Sequence, residues 1–273
     1  MTNVEPSRIV LLDGSSWDVP ELLLNMASDD FYYGYLGQAA LSSSSVKTIN
    51  DSVKGFYYKQ KYGQNEETPA LIMGKMIHTL LLEGKQKFDS LFLPVEASTK
   101  TTNIYKAARE NCPAGMTVVL ASDVSDCERI VNAVVRNNDA NRLMSKGISE
   151  VPAIGNLFGL PFRAKADKLL VDGDSRYCTD LKTTSDIAGF NYSAKKYGYT
   201  SQCYIYSELF NIPIENFSYV VIDKGSLDIA IVEVSREFWE RGRDLTEKAC
   251  DSYRKWFMDP SSDINQYTIK FTL

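Results

Sequence analysis

The sequence predicts an α/β protein in which a helical N-terminal half precedes a mostly antiparallel sheet flanked by helices. In the first half, apolar residues recur every three or four positions, which is typical of helices that bury one face. After Gly147, short runs rich in β-branched and aromatic residues predominate. Two of these runs flank Gly173 and Asp174, a dipeptide that favours a tight hairpin.

Helices are predicted in the first half at residues 44–60, 69–83, 102–112 and 122–137. The second is apolar on nearly all sides, so we expect it at the centre of the protein, with Gly84 ending it. Ser122 or Asp123 is expected to begin the fourth helix. Residues 1–40 include prolines and several glycines, and we expect them to form an irregular extension of the domain.

The second half contains the predicted sheet and three more helices. The strands are expected at residues 150–154, 162–171, 177–184, 217–223 and 228–234, and the helices at 186–197, 199–210 and 236–257. The main domain is therefore expected to span residues 41–257. A C-terminal tail, residues 258–273, is expected to carry one further strand at 267–272.

The composition sets limits on the class of protein. The net charge of −5 excludes a uniformly basic nucleic-acid-binding surface, although a local basic patch would be enough to bind phosphates. The sequence offers candidates for such a patch: Arg163, Lys165, Lys168, Lys182, Lys195 and Lys196.

Targeting and redox signals point to the cytoplasm. We expect no signal peptide, because the N-terminus lacks a basic region followed by an apolar run. No apolar stretch is long enough to span a membrane. The 5 cysteines are scattered and never form a Cys-x-x-Cys pair, which favours reduced thiols and argues against a zinc ribbon.

The predicted hairpin brings acidic residues together. With Gly173 and Asp174 as the loop, the simplest register places Asp167 directly opposite Asp180. Lys182 then shares a face with Asp180, since strand side chains repeat with a period of two. The same register places Lys165 opposite Lys182, and it places Arg163 opposite Thr184.

Two facing carboxylates repel each other unless a positive charge lies between them. A divalent cation such as Mg²⁺ would supply that charge, and Lys182 could then orient or deprotonate an attacking water. Two other interpretations remain open at this point. The acids could be solvated on a polar face, and Asp180 with Lys182 could be an ion pair on an exposed edge strand.

Five motifs in order give the chain a family resemblance. They are LSSSSVKTI (41–49), GKMIHTLLLEG (74–84), FRAKADKLL (162–170), YCTDLKTTSDI (177–187) and YTSQCYIYSEL (199–209). Together they resemble the PD-(D/E)XK nucleases of the RecB/RecE branch, and especially the exonuclease VIII-like C-terminal nuclease domain of phages and prophages. The resemblance covers roughly residues 41–235 and implies a restriction-endonuclease-like core.

The resemblance implies roles for the acidic and helical motifs. Asp167, Asp180 and His78 would ligate the metal, helped by the backbone carbonyl of Leu181, and Lys182 would act on the water. His78 could otherwise be a core histidine. Glu150 would hold a second ion or a water, or it could simply be a surface glutamate on an edge strand.

Further residues match motifs that the family uses near DNA. Gln202 and Tyr206 match a Gln-x-x-x-Tyr helix that would position DNA or support the lysine, although a tyrosine on a helix face is otherwise core packing. Ser42, Ser44 and Lys47 lie at a helix start expected to bind a DNA strand, and the alternative is an ordinary serine cap. Among the basic candidates, Arg163 and Lys165 are expected to contact DNA.

The implied function is a Mg²⁺-dependent exonuclease, with Mn²⁺ as a substitute, that digests duplex DNA from its ends. The expected direction is 5′ to 3′, which would expose a single strand for recombination. By analogy, we expect a ring-shaped homo-oligomer, a single-strand annealing partner and a bacterial or phage origin. An iron–sulfur cluster is not expected, because only Cys250 follows Cys203. The alternatives are a RecB-type nuclease for single-stranded or flap DNA, and a non-catalytic binding module.

Overall fold

The described part of the N-terminal segment, residues 8–40, is regular rather than irregular. The computed structural model describes residues 8–63, 68–270 and 272, and its first elements are β1 (Arg8–Val10), β2 (Ser16–Asp18), α1 (Val19–Asn25), a π-helical turn (Asp30–Tyr35) and α2 (Leu36–Ala39). The antiparallel pair β1–β2 and these helices enclose a small core that includes Ile9, Leu22 and Leu36. The prediction of an irregular extension is therefore wrong, because elements this short carry no periodic signal.

The helical half follows the prediction with local differences. Its elements are α3 (Ser43–Asp51), α4 (Val53–Tyr62), α5 (Pro69–His78), α6 (Lys85–Leu91), β3 (Phe92–Val95), α7 (Asn103–Glu110), β4 (Thr117–Leu120), α8 (Ala121–Arg136) and α9 (Asn138–Met144). The strands β3 and β4 form a parallel pair that the sequence did not predict.

Two predicted helix boundaries are wrong for local reasons. The helix predicted at 44–60 is divided at Ser52, whose backbone is extended and whose hydroxyl accepts a hydrogen bond from Gly55 N at 2.9 Å, beginning α4. Leu120, not Ser122 or Asp123, occupies the N-cap position of α8. The predicted end at Gly84 is confirmed: α5 continues as a π-helical turn (Thr79–Glu83), and Gly84 has a φ of 88°.

The sheet is mostly antiparallel, as predicted. It is built from β5 (Ile148–Leu157), β6 (Leu160–Asp172), β7 (Ser175–Thr184), β8 (Phe217–Asp223) and β9 (Ile229–Glu233), and the three C-terminal helices are α10 (Phe190–Lys196), α11 (Tyr199–Phe210) and α12 (Arg236–Tyr253). The strands lie in sequence order, and only β7 and β8 run parallel. The strand predicted at 267–272 is absent from residues 267–270 and 272, the part of it that is described.

Each face of the sheet is covered by a different group of helices. On one face α3, α4, α10, α11 and α12 pack around residues such as Cys178 and Tyr219. On the other face α5, α6, α8 and α9 pack against Leu181 and Val220. Tyr219 and Val220, which are adjacent on β8, thus point into two different cores. Along the described chain, no helix is both long and apolar enough to cross a membrane.

Helices α11 and α12 approach each other closely at Gly242. A Cβ atom there would lie 2.1 Å from the carbonyl oxygen of Thr200, whereas a Cβ atom on Gly74 in α5 would meet nothing within 4 Å. We expect Gly242→Ala to lower the free energy of unfolding by about 1–3 kcal/mol through overpacking. Gly74→Ala, the matched control, should raise it by about 0.5–1 kcal/mol through helix propensity. Urea denaturation measures both, and equal effects would contradict this packing.

Candidate active site

Asp167 lies where β6 and β7 separate. From the turn at Gly173 and Asp174, the two strands pair in the predicted register as far as Lys168 and Thr179. One residue further on, the Asp167 carboxylate takes the place of a backbone acceptor: its Oδ2 accepts a hydrogen bond from Leu181 N at 2.8 Å. Asp167 and Asp180 therefore occupy equivalent positions along the two strands, but their backbones do not pair.

At Asp167, the alternation of β6 side chains between the two faces of the sheet shifts by one residue. Ala164 and Ala166 pack into the core on the α11 side of the sheet, and beyond Asp167 it is Leu169 that packs against that core. Residues of one strand face are normally separated by even numbers, so the alternation shifts here. The predictions that Lys165 faces Lys182 and that Arg163 faces Thr184 are wrong, because the pairing of β6 with β7 ends at Lys168 and Thr179.

Glu150 faces Asp167 from β5. Its neighbours Ser149 and Val151 pair with Lys168 and Ala166, which places Glu150 directly across from Asp167. Glu150 itself has a φ of 53°, a left-handed conformation that is uncommon outside glycine and is often found at functional sites. The distortion of β5 thus coincides with that of β6.

Helix α5 adds an imidazole to the two carboxylates. Met76 and Ile77 are fully buried against the core that contains Leu181, and this anchoring places His78 at the end of the helix. Its Nδ1 lies 3.3 Å from Asp167 Oδ2. His78, Glu150 and Asp167 each present a ligand atom, and these atoms lie within 4.8 Å of one another.

The charges of this cluster shift its pKa values. Burial and the negative charge of Asp167 raise the pKa of Glu150 to about 7. Burial also opposes ionisation of Asp167 and His78, but their mutual attraction outweighs it. The pKa of Asp167 is therefore lowered and the pKa of His78 is raised.

A second group of side chains surrounds Asp180, which is 1% exposed. Gln202 on α11 donates from Nε2 to Asp180 Oδ2 at 2.7 Å, and Lys182 forms an ion pair with Oδ1. Burial, together with the charge of Asp167, raises the pKa of Asp180 to about 6. The Lys182 ammonium also lies 4.7 Å from the centre of the Tyr199 ring and 5.8 Å from that of Tyr219.

The donor set fits a hard divalent cation. Carboxylate oxygens suit Mg²⁺ or Mn²⁺, and one imidazole is an acceptable addition. Asp167 connects the two groups, because its charge acts on His78, Glu150, Asp180 and Lys182. The structure therefore brings together the predicted His78, Glu150, Asp167, Asp180, Lys182 and Gln202.

The predicted DNA-contacting residues on α3 are engaged locally. The Ser42 hydroxyl caps α3 by accepting from Ser45 N at 3.3 Å, and it shares a hydrogen bond of 2.9 Å with the Ser44 hydroxyl. Lys47 forms an ion pair with Asp51 one turn later. These contacts match the ordinary cap that was the alternative prediction.

Arg163, Lys165 and Tyr206 are also held by the protein. Arg163 is buried and donates to the Tyr32 carbonyl, and Lys165 Nζ lies 2.9 Å from Asp29 Oδ1. The Tyr206 hydroxyl donates to the Lys165 carbonyl at 2.9 Å.

The predicted basic patch is therefore not a continuous surface. Lys168 is buried, as Arg163 is, while Lys195 and Lys196 are exposed.

Sequence reasoning missed the aromatic residues around these cations. Tyr199 and Tyr219 flank Lys182, while Tyr32 lies 4.4 Å from Arg163 and 4.5 Å from Lys165, measured to its ring centre. The tyrosine-rich composition of residues 31–35 and 192–206 was the available signal. It did not say which ring would lie over which cation.

The fold and the site define a nuclease-like protein of the PD-(D/E)XK class. Residues 42–261 match the family described as "PDDEXK-like domain of unknown function (DUF3799)", and the chain belongs to that family. A search of the curated proteins finds no match to the chain.

Two solved structures show the extent of the structural likeness. A protein from Eubacterium rectale named "Putative exonuclease" is 18% identical, with a TM-score of 0.62 over 83% of this chain and 85% of its own. This likeness concerns the fold. A protein named SSO0001 is 12% identical over 89% of this chain and 87% of its own, with a TM-score of 0.39.

The Tyr206 hydroxyl provides a test of its structural role. We expect Tyr206→Phe to lower the free energy of unfolding by about 0.5–1.5 kcal/mol, because the Lys165 carbonyl loses its donor in a part-buried hydrogen bond. Urea denaturation measures this loss. Unchanged stability combined with weaker DNA binding would instead assign the hydroxyl to DNA.

Proposed function

We propose that this protein is a metal-dependent deoxyribonuclease that digests duplex DNA from its ends. The observation that carries the proposal is the clustering of His78, Glu150 and Asp167 beside the Asp180–Lys182 ion pair. A chain without catalytic function has no evident reason to bury such a set of charges around a distorted pair of strands.

His78, Glu150 and Asp167 would hold the cation, with Asp180 next to them. Mg²⁺ is the proposed ion, and Mn²⁺ should substitute for it. The Leu181 carbonyl remains a further proposed ligand. A bound divalent cation would polarise the phosphate and stabilise the charge of the leaving oxygen.

Lys182 would orient the attacking water and offset charge on the phosphate. Two restraints support this role. The ion pair with Asp180 fixes one side of the ammonium group, and the Tyr199 ring fixes another. Gln202 would act indirectly, since its hydrogen bond orients the Asp180 carboxylate. Glu150 would thus join the ligand set of this ion, in place of the second ion or water that the resemblance implied.

Exonuclease action on duplex ends is supported by the ordered motifs that resemble exonuclease VIII and by the name of the Eubacterium rectale protein. A 5′ to 3′ direction, a homo-oligomeric ring, an annealing partner and a phage or prophage origin are parts of the proposal that rest on that resemblance. A RecB-type nuclease for single-stranded or flap DNA is the second candidate.

Loss of the ion pair should abolish hydrolysis. With Mg²⁺ present, we expect Asp180→Ala and Lys182→Ala each to lower the rate of digestion of linear duplex DNA by at least about a hundredfold. Lys248→Ala, which removes an exposed lysine on α12, is the matched control. Duplexes labelled at the 5′ or 3′ end report the direction. Equal activity of all variants would refute the site, and cutting of closed circles would refute only the exonuclease assignment.

The cation site can be tested without catalysis. In calorimetric titrations with Mn²⁺, we expect His78→Ala, Glu150→Gln and Asp167→Asn each to weaken binding by at least about tenfold. Asp139→Asn, a change to an exposed carboxylate on α9, should leave binding unchanged. If all four variants bound Mn²⁺ as the wild type does, this ligand set would be wrong.

A further inference from the structure

A concave pocket lies between α4, Gln38 of α2 and the C-terminal end of α12. It has a volume of about 260 Å³ and is lined by Gln38, Phe56, Tyr57, Gln60, Lys61, Tyr253 and Phe257. The volume falls below the ~300 Å³ at which pockets for drug-sized ligands begin. A ligand of this pocket would therefore be about the size of one aromatic ring system.

The base of the pocket is aromatic. The ring centres of Phe56 and Phe257 lie 5.4 Å apart, and those of Tyr253 and Phe257 lie 5.1 Å apart. Phe56 is 4% exposed and fixed in the main core, so this side of the pocket is rigid. Tyr57 is half-buried and adds a further ring at the edge.

The rim of the pocket is polar and basic. The Gln60 amide donates to the Gly37 carbonyl at 3.5 Å, and the Gln38 carboxamide makes no hydrogen bond within the described part of the chain. Lys61 Nζ lies 3.3 Å from the Tyr57 hydroxyl. Helix α4 contains three lysines and no acidic residue. Carboxamides recognise base edges, aromatic rings stack on base faces, and lysines contact phosphates.

The position of the pocket relates it to the proposed active site. Gly37, which accepts from Gln60, lies beside Arg163: a Cβ atom on Gly37 would be 3.8 Å from the arginine side chain. Arg163 and Asp167 lie on the same strand, β6, about 13 Å apart at ~3.3 Å per residue.

We infer that this pocket binds one unpaired nucleobase of a DNA strand that reaches the proposed active site. The identification of the ligand as DNA rests on the proposed function, whereas the existence of the pocket does not. The base stacks against Tyr57 and Phe257, and the carboxamides of Gln38 and Gln60 contact its edge. Binding there holds a separated strand in place at the duplex end.

Anisotropy titrations in EDTA, which prevents hydrolysis, test the pocket. The probes are duplexes with a single-stranded overhang in which an abasic site replaces one base at successive positions. We expect a single overhang position at which the abasic site weakens wild-type binding by about tenfold. Tyr57→Ala should weaken binding of the intact overhang by the same factor as the abasic site does in the wild-type protein. The variant should show no further loss when that base is absent.

Matched variants distinguish the loss of base stacking at Tyr57 from general effects on DNA binding. Tyr57→Phe keeps the ring and should bind as the wild type does. Tyr58→Ala removes an exposed tyrosine of the same helix that does not line the pocket, and it should also bind normally. Thermal unfolding of Tyr57→Ala checks that the fold is retained.

The outcomes distinguish this inference from the proposed function. If no single position stands out, or if Tyr57→Ala weakens all probes alike, the pocket does not bind a base, even if Mg²⁺-dependent digestion is normal. If the expected position stands out but linear DNA is never hydrolysed, the pocket is upheld and the nuclease assignment fails. Wild-type protein that binds none of the probes would overturn the inference.

Discussion

The hydrogen bond from Leu181 N to the Asp167 carboxylate is the interaction on which the site depends. A side-chain oxygen there takes the place that a backbone carbonyl would have in a continuous ladder, so β6 and β7 separate without leaving a buried donor unsatisfied. The separation makes room for charge between the strands. Because Leu181 is itself buried against the α5 core, the same residue connects the strand to the helix that carries His78.

The charges around Asp167 form one electrostatic unit rather than separate pairs. His78 and Lys182 stabilise the ionised form of Asp167, and Asp167 in turn disfavours the ionised forms of Glu150 and Asp180. Such a set is costly to bury unless a further positive charge offsets it. This cost is the physical reason for proposing a cation at this place, and it agrees with the nuclease-like fold of the family.

The basic residues that the sequence presented as a DNA surface lie mostly inside the protein. Arg163 and Lys165 are held by Asp29 and the Tyr32–Tyr33 pair, which belong to the N-terminal segment before the matched family domain. That segment thus shields the strand that carries Asp167. Helix α4 combines exposed lysines with aromatic rings, and the proposed base pocket lies there.

The sequence by itself determined the mostly antiparallel sheet, the turn at Gly173 and Asp174, the helix end at Gly84 and the identity of the charged residues, because these follow from local periodicity and turn chemistry. Only the tertiary structure decided how the charges meet. The regular alternation of side chains between the two faces of a strand is interrupted at Asp167 and Glu150. There a side chain takes part in the hydrogen bonding between the strands, so counting in twos along the sequence fails. Likewise, no local pattern could assign Tyr199 to Lys182 or Asp29 to Lys165, because those contacts join segments that are distant in the chain.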